Sequence, residues 1–408
     1  MTNLPQGWEV KTLSEIGEII TGSTPSKSNV EFYGKDYPFF KPSDFEQGYF
    51  LENAGDNLSK LGFGKARQLP PKTILVVCIG SLGKVALTRV IGSCNQQINA
   101  IIPHKNIISE YIYYYCISSK FQSILFSKAP QTTLAIFNKT EFSKLEIIYP
   151  KDIKKQERIV GILDESFAKI DESIKILEQN LLNLDELMQS ALQKAFNPLK
   201  DNAKENYKLP QGWEWKSLGE IGNTSSGGTP LRNKKEYWEN GSIKWLKSGE
   251  LNDGYIDFIE ENITEEAIKN SSAKIFQKGT LLIAMYGATA GKLGILNLDS
   301  TTNQAICAFL HKDKNIKFLE KFLFYFLFFL RDKIIKDSFG GAQPNINQTY
   351  IKNLQIPLPP IKEQEQIASH LDELSSHVKN LKQNYQAQIK DLQELKNSLL
   401  DKAFKGNL

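Results

Sequence analysis

Two lysines end glycine-rich segments at matching places in the chain, and this combination could bind an anion. Lys84 closes Gly80-Ser-Leu-Gly-Lys84, and Lys292 closes Gly287-Ala-Thr-Ala-Gly-Lys292. Each segment follows an apolar run typical of a strand. In such a turn, backbone N–H groups and an ammonium group can face one phosphate. Each lysine is therefore either a phosphate ligand or a solvated side chain after a structural turn. Neither segment matches the nucleotide P-loop.

Other polar side chains are duplicated in the same way. Lys41 and Lys247 each precede a predicted loop, where the ammonium group either binds phosphate or is solvated. Asn95-Gln96 returns as Asn303-Gln304 after a predicted strand. These amides either contact sugar and phosphate groups or cap backbone groups.

These pairs exist because the whole chain repeats. Leu4-Pro-Gln-Gly-Trp-Glu9 returns as Leu209-Pro-Gln-Gly-Trp-Glu214, an offset of 205 residues, and later matches lie at offsets up to 209. Two related modules in one chain predict a pseudo-twofold protein. Within each copy, the first 150 residues or so combine strand-like apolar runs (73–79 and 280–286) with a helix-like stretch (109–127 and 317–336). This pattern predicts two globular domains of the α/β (α+β) class.

A heptad repeat ends each copy. Apolar residues in the first copy are spaced alternately three and four apart, at 160, 163, 167, 170, 174, 177, 181, 184, 188, 191 and 195. The second copy repeats this spacing from Ile367 to Leu399, with the polar Gln388 at one step. Such spacing predicts coiled-coil helices, each roughly 54 Å long. The simplest assembly pairs the two helices antiparallel within one chain, and the alternative is an intermolecular coiled coil.

The predicted boundaries follow from these patterns. They are a first domain (1–150), a central helix (151–198), a linker (199–208), a second domain (209–358) and a C-terminal helix (359–408).

The doubled motifs resemble those of specificity (S) subunits of Type I restriction-modification systems, the HsdS family. They comprise Leu-Pro-x-Gly-Trp, Gly-x-Thr-Pro, the Gly-Lys segments, and a proline before Lys-x-Gln-Glu at a long helix. The resemblance covers essentially the whole chain. In two respects the first copy departs from the pattern: its Gly-Lys segment is one residue shorter, and it lacks the second proline before the helix.

The resemblance implies a non-catalytic subunit that binds double-stranded DNA. Each domain would be a target-recognition domain that reads one half of a split, asymmetric site. The two long helices would hold the domains apart and bind two methyltransferase (M) subunits, and the restriction or translocase (R) subunits would join through the complex. The chain itself would need no cofactor, since S-adenosylmethionine, ATP and Mg would belong to the partner subunits.

Comparison of the two copies separates two kinds of DNA contact. Residues that are identical in both copies cannot encode different half-sites, so they would serve folding or the phosphate backbone. The phosphate candidates are Lys41, Lys84, Gln96, Lys247, Lys292 and Gln304. Divergent loops would carry base contacts, because Gln and Asn can pair with adenine, and Arg or Lys with guanine. The base-readout candidates are Lys60, Lys65, Arg67, Gln68, Gln131, Lys274, Gln343 and Asn345.

Charge and composition set limits on other functions. The net charge is only +4, so charge alone does not indicate nucleic acid. Four cysteines without paired spacing favour the cytoplasm and argue against a metal site, and we expect no membrane segment. The Asn-Pro-Pro-aromatic motif of amino-methyltransferases is missing from the sequence.

Two alternative functions remain open. One is the specificity part of another methyltransferase or restriction assembly, and the lack of catalytic motifs weighs against a fused enzyme. The other is a protein-binding coiled-coil scaffold, which salt-independent assembly without DNA affinity would favour.

Overall fold

The structure, a computed structural model, describes residues 4–128, 136–196, 209–312, 317–338 and 345–408. The chain divides into two compact units. Unit 1 comprises residues 1–178 with 385–408, and unit 2 comprises residues 179–384. Each unit contains one mixed domain, called here a head (residues 4–150 or 209–358), and segments of two long helices.

The described residues of the first head form three sheets. Its strands are β1 (Trp8–Thr12), β2 (Gly17–Thr21), β3 (Tyr33–Phe40), β4 (Phe50–Leu51), β5 (Asp56–Leu58), β6 (Gln68–Leu69), β7 (Ile74–Val77), β8 (Val85–Thr88), β9 (Gly92–Cys94), β10 (Ile98–Pro103) and β11 (Glu146–Pro150). They form a five-stranded sheet of order β2-β10-β7-β8-β4, a four-stranded sheet of order β5-β3-β9-β6, and the pair β1-β11. Buried apolar side chains shared by the two larger sheets form one core.

Short helices complete the first head before a long one begins. They are α1 (Leu13–Ile16), α2 (Lys60–Lys65), α3 (Ser109–Ile117), α4 (Ser119–Lys128) and α5 (Lys139–Ser143), with 3-10 turns at Val30–Phe32 and Pro42–Gln47. The long helix α6 (Ile153–Phe196) follows.

The second head repeats this plan. Its strands are β12 (Glu214–Ser217), β13 (Gly222–Ser226), β14 (Ile243–Leu246), β15 (Gly254–Ile256), β16 (Asn262–Ile263), β17 (Ile275–Phe276), β18 (Leu281–Ala284), β19 (Leu293–Leu296), β20 (Ser300–Thr302), β21 (Ile306–His311) and β22 (Gln355–Leu358). The sheet orders are β13-β21-β18-β19-β15, β16-β14-β20-β17 and β12-β22. Each described strand therefore has a counterpart with the same neighbours in the first head.

The helices of the second head are α7 (Leu218–Ile221), α8 (Glu265–Lys269), α9 (Glu320–Lys336) and α10 (Gln348–Asn353), with 3-10 turns at Lys235–Tyr237, Ser248–Glu250 and Gly287–Thr289. The long helix α11 (Ile361–Phe404) ends the chain's regular structure.

One helix differs between the heads. The single helix α9 corresponds to two helices, α3 and α4, which are separated at Ser118. The Ser118 hydroxyl donates to the Tyr115 carbonyl at 2.6 Å, and Ser118 itself has an extended backbone. A serine side chain that bonds to nearby backbone competes with helix continuation. The continuous helix predicted over 109–127 is therefore interrupted.

The heptad positions of α6 face inward. All of its predicted seam residues, from Val160 to Ala195, are buried or half-buried. The seam of α11 is less regular: Leu371 and Val378 are buried, but Leu395 is 45% exposed. Gln388, predicted to fill one step, is exposed, and the neighbouring Ile389 is half-buried instead.

The two long helices run antiparallel within each unit. In unit 2, Asp185 forms an ion pair with Lys382, whereas residues 187–195 line a groove with residues 363–374. In unit 1, Asp171 pairs with Lys396, and Leu163 shares a core with Ala403. The predicted mixed heads and antiparallel long helices are confirmed. Within the described residues, no helix has an apolar stretch long enough to cross a bilayer.

Candidate nucleic-acid interface

One edge of each head collects several of the candidate residues. Strand β3 runs parallel to β9, with Phe40 opposite Cys94, so Lys41 and Asn95 leave the sheet at the same end. The Asn95 amide donates to the Phe40 carbonyl at 3.1 Å. The structure thus brings Lys41 beside the Asn95-Gln96 segment.

The second head repeats the arrangement with β14 and β20. Leu246 lies opposite Thr302, and the Asn303 amide donates to the Leu246 carbonyl at 2.9 Å. Lys247 therefore stands beside the Asn303-Gln304 segment.

The Gly-x-Thr-Pro loop packs against this edge. The Thr24 hydroxyl donates to Oε1 of Gln96, and the Thr229 hydroxyl donates to Oε1 of Gln304. A Cβ atom at Gly22 would lie 2.1 Å from the Asn95 carbonyl oxygen, which explains why this position holds glycine. The loop and the glutamine segment therefore form one supported surface.

The duplicated amides have different roles. Asn95 Oδ1 accepts from the Gln97 amide at 3.1 Å, and Asn303 Oδ1 accepts from the Ala305 amide at 3.2 Å, so both asparagines stabilise turns. Gln96 and Gln304 are exposed. Among the described residues, nothing accepts from their NH₂ groups, which leaves these donors available to a ligand.

Lys41 and Lys247 are already paired inside their heads. Lys41 forms an ion pair with Asp56, and Lys247 Nζ lies 2.7 Å from Glu261. The hydrogen bond that the Lys247 ammonium donates to Glu261 raises the pKa of Lys247. Partial burial would raise the pKa of Glu261, but hydrogen bonds from Arg232 and Lys247 outweigh it and lower that pKa. The positive charge of each lysine is therefore partly neutralised by a carboxylate of its own head.

The turns before Lys84 and Lys292 are hairpin turns rather than open anion cradles. Gly83 and Gly291 have positive φ angles of 88° and 81°, which glycine adopts without strain. Their amides donate to the Val77 and Ala284 carbonyls at 2.9 and 2.8 Å, so these two N–H groups are used within the turns. Any anion contact would therefore rely mainly on the lysine ammonium.

The two turn lysines differ in their surroundings. Lys84 pairs with Glu46 and lines a cavity of about 920 Å³ that Asp171 and Lys396 of the long helices also line. Within the described part of the first head, Lys84 makes no contact with Gln96. Lys292 is exposed and has no ion pair among the described residues.

Arg67 and Lys274 occupy corresponding places beside the Gly-x-Thr-Pro loop. The Arg67 guanidinium donates to the Thr21 carbonyl at 2.6 Å, at the end of β2. The Lys274 ammonium donates to the Ser225 hydroxyl at 3.2 Å, near the end of β13. Both side chains are exposed. The structure therefore places a different cation at the same edge of each head.

The remaining base-readout candidates are spread more widely. Lys60, Lys65 and Gln68 are exposed along α2 and β6. Asn345 is exposed and forms an isolated β-bridge with Tyr286, next to the Gly287 turn. Gln131 and Gln343 lie outside the described residues.

Arg232 was not among the sequence candidates, although it lies just after the Gly-x-Thr-Pro segment of the second head. Its guanidinium carbon lies 3.8 Å from the centre of the Trp238 ring and 4.6 Å from that of Trp245. It also pairs with Glu261. The sequence signal was an arginine shortly after Gly-Thr-Pro with two tryptophans close behind, a combination that favours cation–π contact.

Two aspartates of the long helices form hydrogen bonds with tyrosines of the heads. Asp164 of α6 accepts from the Tyr114 hydroxyl at 2.6 Å, and Asp372 of α11 accepts from the Tyr325 hydroxyl at 2.7 Å. Each therefore ties a long helix to the head of its own unit. In the described part of the chain, no cluster of His, Cys, Asp and Glu could hold a metal ion.

Comparison with known proteins identifies the family. The model of the Type I restriction modification DNA specificity domain matches twice, over residues 5–182 and 210–391. The Type I restriction enzyme MjaIX specificity subunit of Methanocaldococcus jannaschii is 26% identical over 419 residues, covering 99% of this chain and 94% of that protein. The HindI specificity subunit of Haemophilus influenzae is 38% identical over 191 residues, covering 45% of this chain but only 42% of that protein.

Solved structures share the fold. A chain from a study of complex assembly and conformational transition in the type I R-M system has a TM-score of 0.81 at 21% identity, with 100% of both chains covered. The HsdS subunit from Thermoanaerobacter tengcongensis has a TM-score of 0.61 at 21% identity, covering 99% of this chain and 98% of that one. Since the family model matches both halves of the sequence, the chain belongs to the family of Type I restriction-modification specificity subunits.

Proposed function

We propose that each head reads one half of a bipartite, asymmetric DNA site and that the chain itself catalyses no reaction. The target-recognition domains are residues 1–150 and 209–358. One observation carries the proposal: the two heads repeat a single strand order but present different exposed cations, Arg67 and Lys274, at the same edge. A common scaffold with divergent exposed side chains suits a site whose halves differ.

The contacts divide by chemistry. Lys292 and the free NH₂ groups of Gln96 and Gln304 would contact the phosphate backbone. Lys41, Lys84 and Lys247 would add positive charge, which their ion pairs with carboxylates of the same head reduce. Arg67, Lys274 and the candidates on neighbouring loops would contact base edges, where arginine or lysine recognises guanine and amides recognise adenine.

The long helices would set the spacing of the heads and dock two M subunits. Leu187 and Leu395 support duplicated docking, because they lie at matching positions of the repeat and are 48% and 45% exposed. The polar outer faces of α6 and α11 would complete the contact. The M subunits would bind S-adenosylmethionine, the R subunits would use ATP and Mg, and the complex would act in the cytoplasm.

Methylation mapping tests the proposal. The chain would be co-expressed with its M subunit in a host that lacks DNA methylation, and the DNA read with a modification-sensitive sequencing method. We expect adenine methylation at one split, asymmetric motif. Replacing residues 1–150 with another first head should change one half of the motif and leave the other half unaltered. Bound M subunit without any methylated motif would contradict the proposal and favour the scaffold alternative.

A further inference from the structure

Each long helix is tied to its head by a buried glutamine near its start. Gln156 Oε1 accepts from the Ile108 amide at 3.0 Å, and its NH₂ group donates to the Pro150 carbonyl at 2.9 Å. Gln364 repeats this with the Leu319 amide and the Pro359 carbonyl, both at 2.9 Å. Ile108 and Leu319 are the residues that precede α3 and α9. The glutamine therefore joins the start of the long helix to the start of a head helix.

A tyrosine and an aspartate make a second attachment between the same two helices. Tyr114 of α3 donates to Asp164 of α6 at 2.6 Å, and Tyr325 of α9 donates to Asp372 of α11 at 2.7 Å. Both tyrosines are buried, whereas Asp164 is exposed and Asp372 is half-buried. We call these two pairs the Tyr–Asp clamps.

The two attachments have the same spacing in both units. Asp164 follows Gln156 by eight residues, as Asp372 follows Gln364, which is about 12 Å along a helix. On the head helix, the tyrosine follows the capped amide by six residues in both units, about 9 Å. A single attachment lets one helix pivot about it, whereas two separated attachments fix the direction of one helix relative to the other.

We propose that the Tyr–Asp clamps are spacing determinants, which hold each head at one angle on its long helix and so restrict the protein to DNA sites of a single gap length. This inference rests on the proposed reading of a split site. The glutamine locates the head on the helix, and the clamp sets the angle. A head that pivots would meet its half-site at a shifted distance, so loss of a clamp broadens the accepted gap without changing the bases that are read.

The clamp of unit 2 has an additional ion pair, which is absent at the matching position among the described residues of unit 1. Lys321, one turn before Tyr325, forms an ion pair with Asp372 and lies over the Tyr255 ring. The corresponding residue of α3 is Glu110, which pairs with Lys72 instead. Removing the hydroxyl should therefore loosen the first head more than the second.

Tyr114→Phe and Tyr325→Phe test the inference in the complex with M subunits. Each removes one hydroxyl and leaves the ring in place. The released Asp164 carboxylate is exposed, and the Asp372 carboxylate keeps its ion pair with Lys321. Tyr111→Phe is the matched control, because the Tyr111 hydroxyl donates to the Ile148 carbonyl inside the head at 3.0 Å and does not bond to a long helix. Tyr350→Phe serves in the second head, where that hydroxyl donates to Asp337 at 2.9 Å.

The readout is the fraction of methylation at sites whose gap is one base pair longer or shorter than the normal gap. For Tyr114→Phe we expect this fraction to rise about tenfold, the scale set by one lost hydrogen bond to a charged group. Tyr325→Phe should give a smaller rise, both controls should give none, and both half-sites should stay unchanged. A gap distribution in Tyr114→Phe that equals that of Tyr111→Phe would overturn the inference. A wild-type complex with M subunits that methylates no split motif would instead overturn the proposed function.

Discussion

Gln96 and Gln304 each accept a hydrogen bond from a threonine and keep an exposed NH₂ group. This shared geometry gives both heads the same donor at the same edge. Arg67 and Lys274 stand beside it and differ between the heads. At the residue scale, a glutamine donor that both heads share thus lies beside a cation that differs between them. This is expected where one protein contacts a uniform DNA backbone and a variable base sequence.

Exchanging the two cations should alter one half-site at a time. Arg67 has five N–H donors and uses one on the Thr21 carbonyl, so the remaining donors can form the paired contact to guanine that lysine makes less well. We expect Arg67→Lys to relax the preference at one base of the first half-site, by the roughly 1–3 kcal/mol that a bidentate contact contributes. Lys274→Arg should change only the other half-site. Methylation mapping measures both.

Arg89→Lys is the control for this exchange, because Arg89 pairs with Glu52 and stacks on Phe50 rather than on the Gly-x-Thr-Pro loop. An Arg67→Lys protein with an unchanged motif would show that this guanidinium reads no base.

Lys292 should contribute more to DNA binding than its counterpart Lys84. Lys292 has no ion pair among the described residues, whereas Lys84 is paired with Glu46. Each phosphate contact that is lost makes the negative slope of log affinity against log salt shallower by about 0.9. We expect that loss for Lys292→Ala and a smaller one for Lys84→Ala, measured by fluorescence anisotropy of the complex over a range of salt. Equal slopes for the two variants would contradict the assignment.

The sequence could identify these lysines but not their partners. Glycine spacing correctly indicates a turn before Lys84 and Lys292, because the required φ angles are local properties. The partners of Lys84 and Lys41 are distant in sequence, at Glu46 and Asp56, and only the packed sheets bring them close. Whether a lysine charge is free or paired is therefore a property of tertiary structure.

At the element scale, the glutamine that is duplicated at the start of both long helices has a structural explanation. Gln156 and Gln364 are fully buried and connect two helices and the preceding strand. The repeat drew attention to these glutamines because they occupy the same position in both copies. Their position at a helix start, however, did not indicate that they are buried. The heptad pattern was more informative for α6 than for α11, where Ile389 replaces Gln388 and Leu395 is exposed. A helix that also contacts a head need not keep strict heptad phase.

Loss of the glutamine should loosen the start of α9. Gln364→Ala would leave the Leu319 amide and the Lys317 and Pro359 carbonyls without their partner, and each unsatisfied buried group costs about 1–3 kcal/mol. We expect a lower melting temperature and faster amide hydrogen exchange at the start of α9. Gln366→Ala, an exposed position on the same helix, is the control and should leave both unchanged. Normal exchange at Leu319 in Gln364→Ala would contradict this role.

At the scale of the whole molecule, the repeat is the most informative property of the sequence. It predicted two heads of one fold and two long helices, because an offset near 205 residues is visible without any structure. It did not predict that each unit combines residues of both long helices, as 1–178 with 385–408 and as 179–384. This combination depends on antiparallel pairing between helix segments that are far apart in the chain. Each head is thus supported by the helix that follows it and by the end of the other one.

Lengthening both helices together tests whether they set the gap. One heptad inserted after Glu178 in α6 and one after Asn384 in α11 keeps both seams in phase and adds about 10.5 Å. This corresponds to roughly three base pairs of axial rise. Because three base pairs also rotate B-DNA by about 100°, we expect a gap that is longer by one to three base pairs, together with weaker total methylation. Fourteen residues inserted instead into the predicted linker 199–208 add the same chain length without lengthening a helix, so that variant should keep the normal gap. If the gap stays the same in the double-heptad protein, the helices do not act as the ruler. The angle fixed by the Tyr–Asp clamps could then no longer explain the choice of gap either.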